Sequence, residues 1–217
     1  MKAVVGLGLL GLLGAGPLEG QAAEPAASES AGFVLTRGRD TVAVERFERF
    51  DVSWKGTLIL PRERELAQQW SVVTGPDGSV PLVEVTVTEK PTEPKMKPRI
   101  ITRTRLIVRD DSVAVDQMTS NGLVTRILPT MAGARPYLNL SFALIELAVQ
   151  AAPRAEVVEI PFFNVDGGQT ATGTLRRNAD GSALLTLGTT EITLTLDADR
   201  IRSASIQAQG LKVERTK

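Results

Sequence analysis

The chain has 217 residues with 25 Lys and Arg against 25 Asp and Glu, a formal net charge of zero. Without a cationic excess there is no general attraction to nucleic acid or to an anionic membrane. It has no cysteine and no histidine, which excludes disulfides and a lipid-anchoring cysteine and removes the commonest general base and zinc ligand.

At the N-terminus, Lys2 precedes the uncharged run AVVGLGLLGLLGAG, the pattern of a signal-peptide core. The run falls short of the roughly twenty apolar residues that cross a bilayer, and Gly6, Gly8, Gly11, Gly14 and Gly16 weaken it as a permanent helix. Gly20 and Ala22 have the spacing that a signal peptidase accepts, so cleavage is expected between Ala22 and Ala23. The expected organisation is a signal peptide over 1–22, a flexible N-terminus over 23–32 and one β-rich domain over 33–217, periplasmic or secreted and with no transmembrane anchor after processing. Losing Lys2 and Glu19 leaves the charge balanced.

From Phe33 onward, short β-prone runs alternate with turn signals. Asp77-Gly78, Asn121-Gly122, Asp166-Gly167 and Asp180-Gly181 pair Gly with a residue that tolerates positive φ, and Gly38 marks a fifth turn. Val83, Val85 and Val87 alternate with Glu84, Thr86 and Thr88, and Ile192, Leu194 and Leu196 alternate with Thr193, Thr195 and Asp197. One face is buried and the other wet, as in antiparallel sheet. Strands are expected at 33–37, 42–50, 52–60, 66–74, 80–89, 99–109, 112–118, 123–128, 156–163, 170–177, 183–188, 191–197, 201–208 and 211–215. The run EKPTEPKMKPR, with three prolines, is expected to be an exposed connection over 89–99. The fold class is therefore mainly β: an antiparallel meander forming a curved sheet or partly open barrel, with one helix packed in or across its concave face.

That helix is ARPYLNLSFALIELAVQAAP, residues 134–153. Asn139 or Ser141 can cap its start and Pro153 ends it, which predicts a helix over 140–152. Leu140, Ala143, Leu144, Leu147, Ala148 and Ala151 share one side; Phe142, Ile145, Val149 and Ala152 share a neighbouring one; Asn139, Glu146 and Gln150 form a narrow polar stripe. A helix lying on a sheet needs one apolar face, and this one has two. The second face belongs either to an ordinary packed core or to an apolar cavity that the helix plugs. In the cavity reading, Leu140, Phe142, Leu144, Ile145, Leu147 and Val149 are the ligand-binding residues.

The signal peptide, the cysteine-free meander, the single helix after the first half and the closing phrase SIQAQGLKVERTK resemble a group of uncharacterised exported β proteins. Those are similar in turn to periplasmic lipoprotein carriers and related lipid binders. The resemblance implies a β-barrel-like half-barrel that holds a helix in a hydrophobic concavity and takes a lipid-like ligand. It carries over no functional residue.

Three further features have chemistry to weigh. Ile101, Arg103, Arg105, Ile107 and Arg109 share a strand face, with Arg126 on a nearby strand, so Arg103, Arg105 and Arg109 are candidates for holding an anion. The alternative is a solvated face paired with Asp and Glu of neighbouring strands. Asp197 and Asp199 have a fragment of calcium-ligand spacing without the other ligands, and turn chemistry accounts for them better. No metal or other cofactor is expected. There is no G-x-S-x-G elbow, and a Ser nucleophile would lack His.

The leading reading is an exported, non-catalytic protein that binds an apolar or lipid-like molecule. Its alternatives are a structural or protein-interaction module of the cell envelope with a fully packed core, and a hydrolase built on a carboxylate pair. Possible partners are thus a lipid or other apolar small molecule, or an envelope protein.

Overall fold

Period-two alternation punctuated by turn residues dictates a chain of hairpins, and the computed structural model, which describes residues 28–61, 65–91 and 96–217, shows one. Its strands are β1 (Glu29–Arg37), β2 (Asp40–Arg49), β3 (Ser53–Leu60), β4 (Leu66–Val73), β5 (Leu82–Glu89), β6 (Arg99–Val108), β7 (Ser112–Thr119) and β8 (Gly122–Pro129). There follow β9 (Arg135–Tyr137), helix α1 (Phe142–Ala151), β10 (Val157–Asn164), β11 (Thr170–Arg177), β12 (Ser182–Leu187), β13 (Thr190–Asp197), β14 (Arg200–Ile206) and β15 (Leu211–Thr216). All five expected turns fall at the junctions of successive strands, with Gly122 the first residue of β8. Gly38 and Gly181 adopt φ of 62° and 84° there, the left-handed region that hairpin turns require.

The strands form one 15-stranded sheet in the order β8-β7-β6-β5-β4-β3-β2-β1-β15-β14-β13-β12-β11-β10-β9. Every pairing is antiparallel except β9 with β10. The chain meanders outward from the centre to the β8 edge, crosses to the β9 edge, and meanders back until β15 pairs with β1, Phe33 opposite Arg215. The crossing from Pro129 to Arg135 uses only residues 130–134. Six steps of extended chain reach roughly 20 Å, whereas fourteen intervals of about 4.8 Å would separate the edges of a flat sheet by roughly 67 Å. The sheet must therefore bend, and Thr130 Oγ1 lies 2.8 Å from Thr170 Oγ1 across the gap.

It does not close. β8 and β9 are the two ends of the strand order and do not pair with each other. A bent, open sheet with α1 packed against it is the curved-sheet form of the expected fold; the β-barrel, and with it the likeness to half-barrel lipoprotein carriers, is corrected. The physical reason is local: β9 has three residues, one of them Pro136, so it cannot offer the eight-residue β8 a complementary ladder.

Most strand ends shift by one or two residues and β9 was not expected; two larger differences have a clear cause. β1 begins at Glu29 rather than Phe33, because the Glu29 carboxylate is fixed by Arg215 at 2.7 Å and Arg200 at 3.1 Å. The helix begins at Phe142 rather than residue 140, because Leu140 has φ of 66° and Ser141 is the N-cap, accepting from Leu144 N at 3.4 Å. The expected signal peptide lies outside the described residues, as do residues 92–95 of the expected 89–99 connection.

The core lies on the sheet face that holds Phe33, Leu35, Phe47, Trp54, Leu58, Trp70, Val83, Leu106, Leu175, Leu185, Leu194 and Val213, and α1 packs against it. Eight successive helix residues, Phe142 to Val149, are buried. A flat sheet would cover one side of a helix, so this all-round burial is the packing consequence of the bend. Among the described residues no helix is long and apolar enough to cross a membrane.

Candidate functional site

Ionisable side chains hold α1 in place at three points along its length. At its start, Glu45 projects from β2 into the core, fully buried. Its Oε1 accepts from Ser141 Oγ at 2.5 Å and Trp70 Nε1 at 3.2 Å, and its Oε2 accepts from Ala143 N at 2.9 Å. A carboxylate at a helix N-terminus satisfies orphan amides and complements the helix dipole. Burial pushes the Glu45 carboxyl up to about 7, while donors from Ser141, Ala143, Phe142 and Trp70 pull the other way.

Midway along α1, Glu146 is also fully buried. Its Oε2 accepts from Ile201 N and from Arg215 Nη1, each at 2.7 Å. Arg215 in turn reaches Glu29 and lies 5.4 Å and 5.5 Å from the centroids of the Phe33 and Phe47 rings. Burial raises the Glu146 pKa and Arg215 opposes the rise. At the helix C-terminus, Arg177 donates to Val149 O at 3.0 Å, to Pro153 O at 3.1 Å and to Asp199 Oδ1 at 3.4 Å, a cation at the negative end of the dipole. Arg49 donates to Gln150 Oε1 at 3.1 Å.

This network, joining β1, β2, β4, β11, β14 and β15 to one helix, escapes a reading by motif because its members lie far apart; Arg215 and Glu29 are 186 residues distant. A weaker signal exists: Glu29 falls in phase with Phe33 and Leu35, Glu45 with Ala43 and Phe47, and Arg215 with Leu211 and Val213. A charge in the apolar phase of a strand has to find a buried partner.

Phe142, Leu144, Ile145, Leu147 and Val149 are all at most 5% exposed, and Leu140 packs at the edge of the same cluster. None of them lines the groove beside Trp70 or the pocket beside Tyr137. Those cavities lie elsewhere. A groove of about 630 Å³ includes Gly32, Arg46, Glu48, Lys55, Gly56 and Trp70, with Lys55 paired to Glu48 at 3.3 Å. A pocket of about 250 Å³ is lined by Tyr137, Phe162, Ala171 and Leu187 together with the polar Asn164 and Gln169. Tyr137 and Phe162 meet edge to face there, centroids 6.3 Å apart.

The arginine stripe is divided. Arg103 and Arg105 share the exposed face of β6, Arg105 lies 3.7 Å from Glu84, and in the strand register it sits opposite Asp116. Arg109 follows the end of the strand. Arg126 on β8 pairs in register with the buried Val115 and so lies on the opposite face, where it donates to Gln117 Oε1 at 3.3 Å. The structure therefore does not gather these guanidinium groups into one cluster. Asp197 pairs with Arg202 at 2.6 Å and Asp199 with Arg154 at 2.9 Å. Among the described residues no three acidic side chains converge as metal ligands would.

No family model matches this chain, and no curated protein matches it. It is similar to the crystal structure, at 1.80 Å resolution, of a DUF1089 family protein from Pseudomonas aeruginosa, with a TM-score of 0.54 and 12% sequence identity. The match covers 75% of this chain and 89% of that one. At that identity the likeness concerns the fold alone.

Proposed function

We propose that this chain is a non-catalytic interaction module of the cell envelope. The observation that carries the reading is the burial of eight successive residues of α1: the apolar face of the sheet is occupied by the protein's own helix. The exposed apolar side chains Met118, Leu123, Val124 and Ile127 lie instead on β7 and β8, where a partner can reach them.

The test compares Leu144→Ala with Ile145→Ala. Both side chains are at most 2% exposed, on different sides of the helix, so each replacement is expected to cost about 2–5 kcal/mol of unfolding free energy. The wild type is expected to take up no environment-sensitive apolar dye and to show no lipid by native mass spectrometry. A small stability loss at Ile145 combined with altered dye uptake, or a co-purifying lipid, would overturn the reading.

A second reading, capture of a short apolar group, is favoured by the Tyr137, Phe162 and Leu187 pocket, which combines apolar walls with a few polar groups. Dye uptake abolished by Ala171→Trp, which fills that pocket, would put this reading ahead.

A further inference from the structure

The two edges of the sheet are unlike. β9 is protected by its shortness, by Pro136 and by burial of Ala134 and Leu138 on either side. β8 is eight residues long, regular in its pairing with β7, without Lys, with Arg126 as its one charge, and free of Pro until Pro129. Leu123, Val124 and Ile127 on it are 61%, 54% and 76% exposed. Natural edge strands are ordinarily blunted by charge, proline, bulges or a cover, because an unpaired backbone edge is a template for another strand.

Resting on the interaction-module reading, we propose that the partner of this edge is a second copy of the chain: two β8 strands pair antiparallel about Thr125 and join both sheets into one. The register follows from side-chain direction. A two-fold axis normal to the sheet keeps each face on its own side, so residues pair with an even index sum. Centring on Thr125 sets Leu123 of one copy opposite Ile127 of the other, twice, and Val124 opposite the Arg126 stem. Centring on Arg126 would oppose two guanidinium groups, which disfavours that register.

The neighbouring strands agree with the Thr125 register. On the outer face Ile107, Ala114 and Ile127 form one cross-strand row, and Arg103, Met118 and Leu123 another, with Arg105, Asp116 and Thr125 between them. The proposed pairing makes the apolar Ile107 to Ile127 row continue into Leu123 and Met118 of the second copy. The polar row meets itself at Thr125, whose hydroxyl is already engaged by Asp116 at 2.7 Å. Like charges are nowhere directly opposed, and the apolar ends of both rows find each other.

Three measurements on the purified chain test this. Light scattering over a concentration series is expected to show a rise toward twice the monomer mass, and Ile127→Lys is expected to hold the protein at monomer mass with unchanged melting temperature, since the side chain is exposed. Thr125→Cys places one thiol of each copy about 4.5–5.5 Å apart at Cβ, so a shift of about 1 Å in the edge strands brings them to the roughly 3.5–4.5 Å of a disulfide, in a chain with no other cysteine. It is expected to cross-link under mild oxidation at least ten-fold faster than Ser120→Cys at the hairpin tip. A wild type that stays monomeric, an Ile127→Lys variant that still associates, or equal cross-linking at both positions overturns the proposal. Those outcomes, together with a lipid-free protein that takes up no dye, leave the interaction-module reading standing, whereas a bound lipid in the core overturns both.

Discussion

Arg215→Met is expected to lower the unfolding free energy by about 3–5 kcal/mol, because it leaves the Glu146 carboxylate buried without its counter-charge. Glu146 is fully buried and the Arg215 side chain is 18% exposed, so solvent screens the pair little. The same replacement removes one of the two cations paired with Glu29, leaving Arg200, and the cation lying against Phe33 and Phe47. The decisive comparison is the double variant Glu146→Gln with Arg215→Met. Gln keeps an acceptor for Ile201 N, which Glu146 now engages at 2.7 Å, and carries no charge to strand. It is expected to recover more than half of the loss in chemical denaturation, since replacing both members of a buried pair is often close to neutral. A single variant that loses less than about 1 kcal/mol, the range of an exposed pair, would show that water reaches this site.

The second large effect is a dependence of stability on pH that runs opposite to ordinary acid denaturation. The Glu45 carboxyl is raised by burial from 4.5 to about 7 in the folded protein. Between those values the folded state holds a proton that the unfolded state has released, so the folded state binds more protons and stability falls as pH rises. Glu45 therefore favours folding most below about 4.5, and that contribution declines through about 7. A displacement of this size corresponds to on the order of 3 kcal/mol. Unfolding free energies of the wild type and Glu45→Gln, measured at several pH values across this window, isolate the contribution, because the shift at Glu146 is common to both proteins. The wild-type curve is expected to fall relative to the variant as pH increases. Parallel curves would mean that Glu45 stays ionised, stabilised by its donors. Gln also carries a cost independent of pH, since its amide nitrogen cannot accept from Ala143 N as Glu45 Oε2 does.

Both effects arise from charges that sit in the apolar phase of strands and were not singled out by pattern. In TVAVERFERF both phases carry apolar residues, Val42 and Val44 in one, Ala43 and Phe47 in the other, so alternation leaves the inward face open and Glu45 unplaced. In LIELA, Glu146 reads as part of a polar stripe, and its burial follows only from Arg215 and Ile201 arriving from strands more than fifty residues away. The two apolar sides of α1 each require a partner, and residues Phe142 to Val149 are buried. Those partners are the sheet itself.

The strand and turn layout and the α-helix between Ser141 and Pro153 were determined by the sequence alone. Alternation, Gly beside Asp or Asn, a hydroxyl cap and a terminating proline act within a few residues and need no tertiary help. Short β9 and the early start of β1 lie beyond that reach, since three residues show no period and Glu29 is ordered by Arg215 from the other end of the chain. Only the tertiary structure decided that the sheet bends without closing, that its apolar face is filled by α1, and that β8 is left as the accessible edge. These outcomes depend on how far a five-residue crossing can reach, on whether two edge strands match in length, and on charges meeting across the whole chain, quantities that no local window contains.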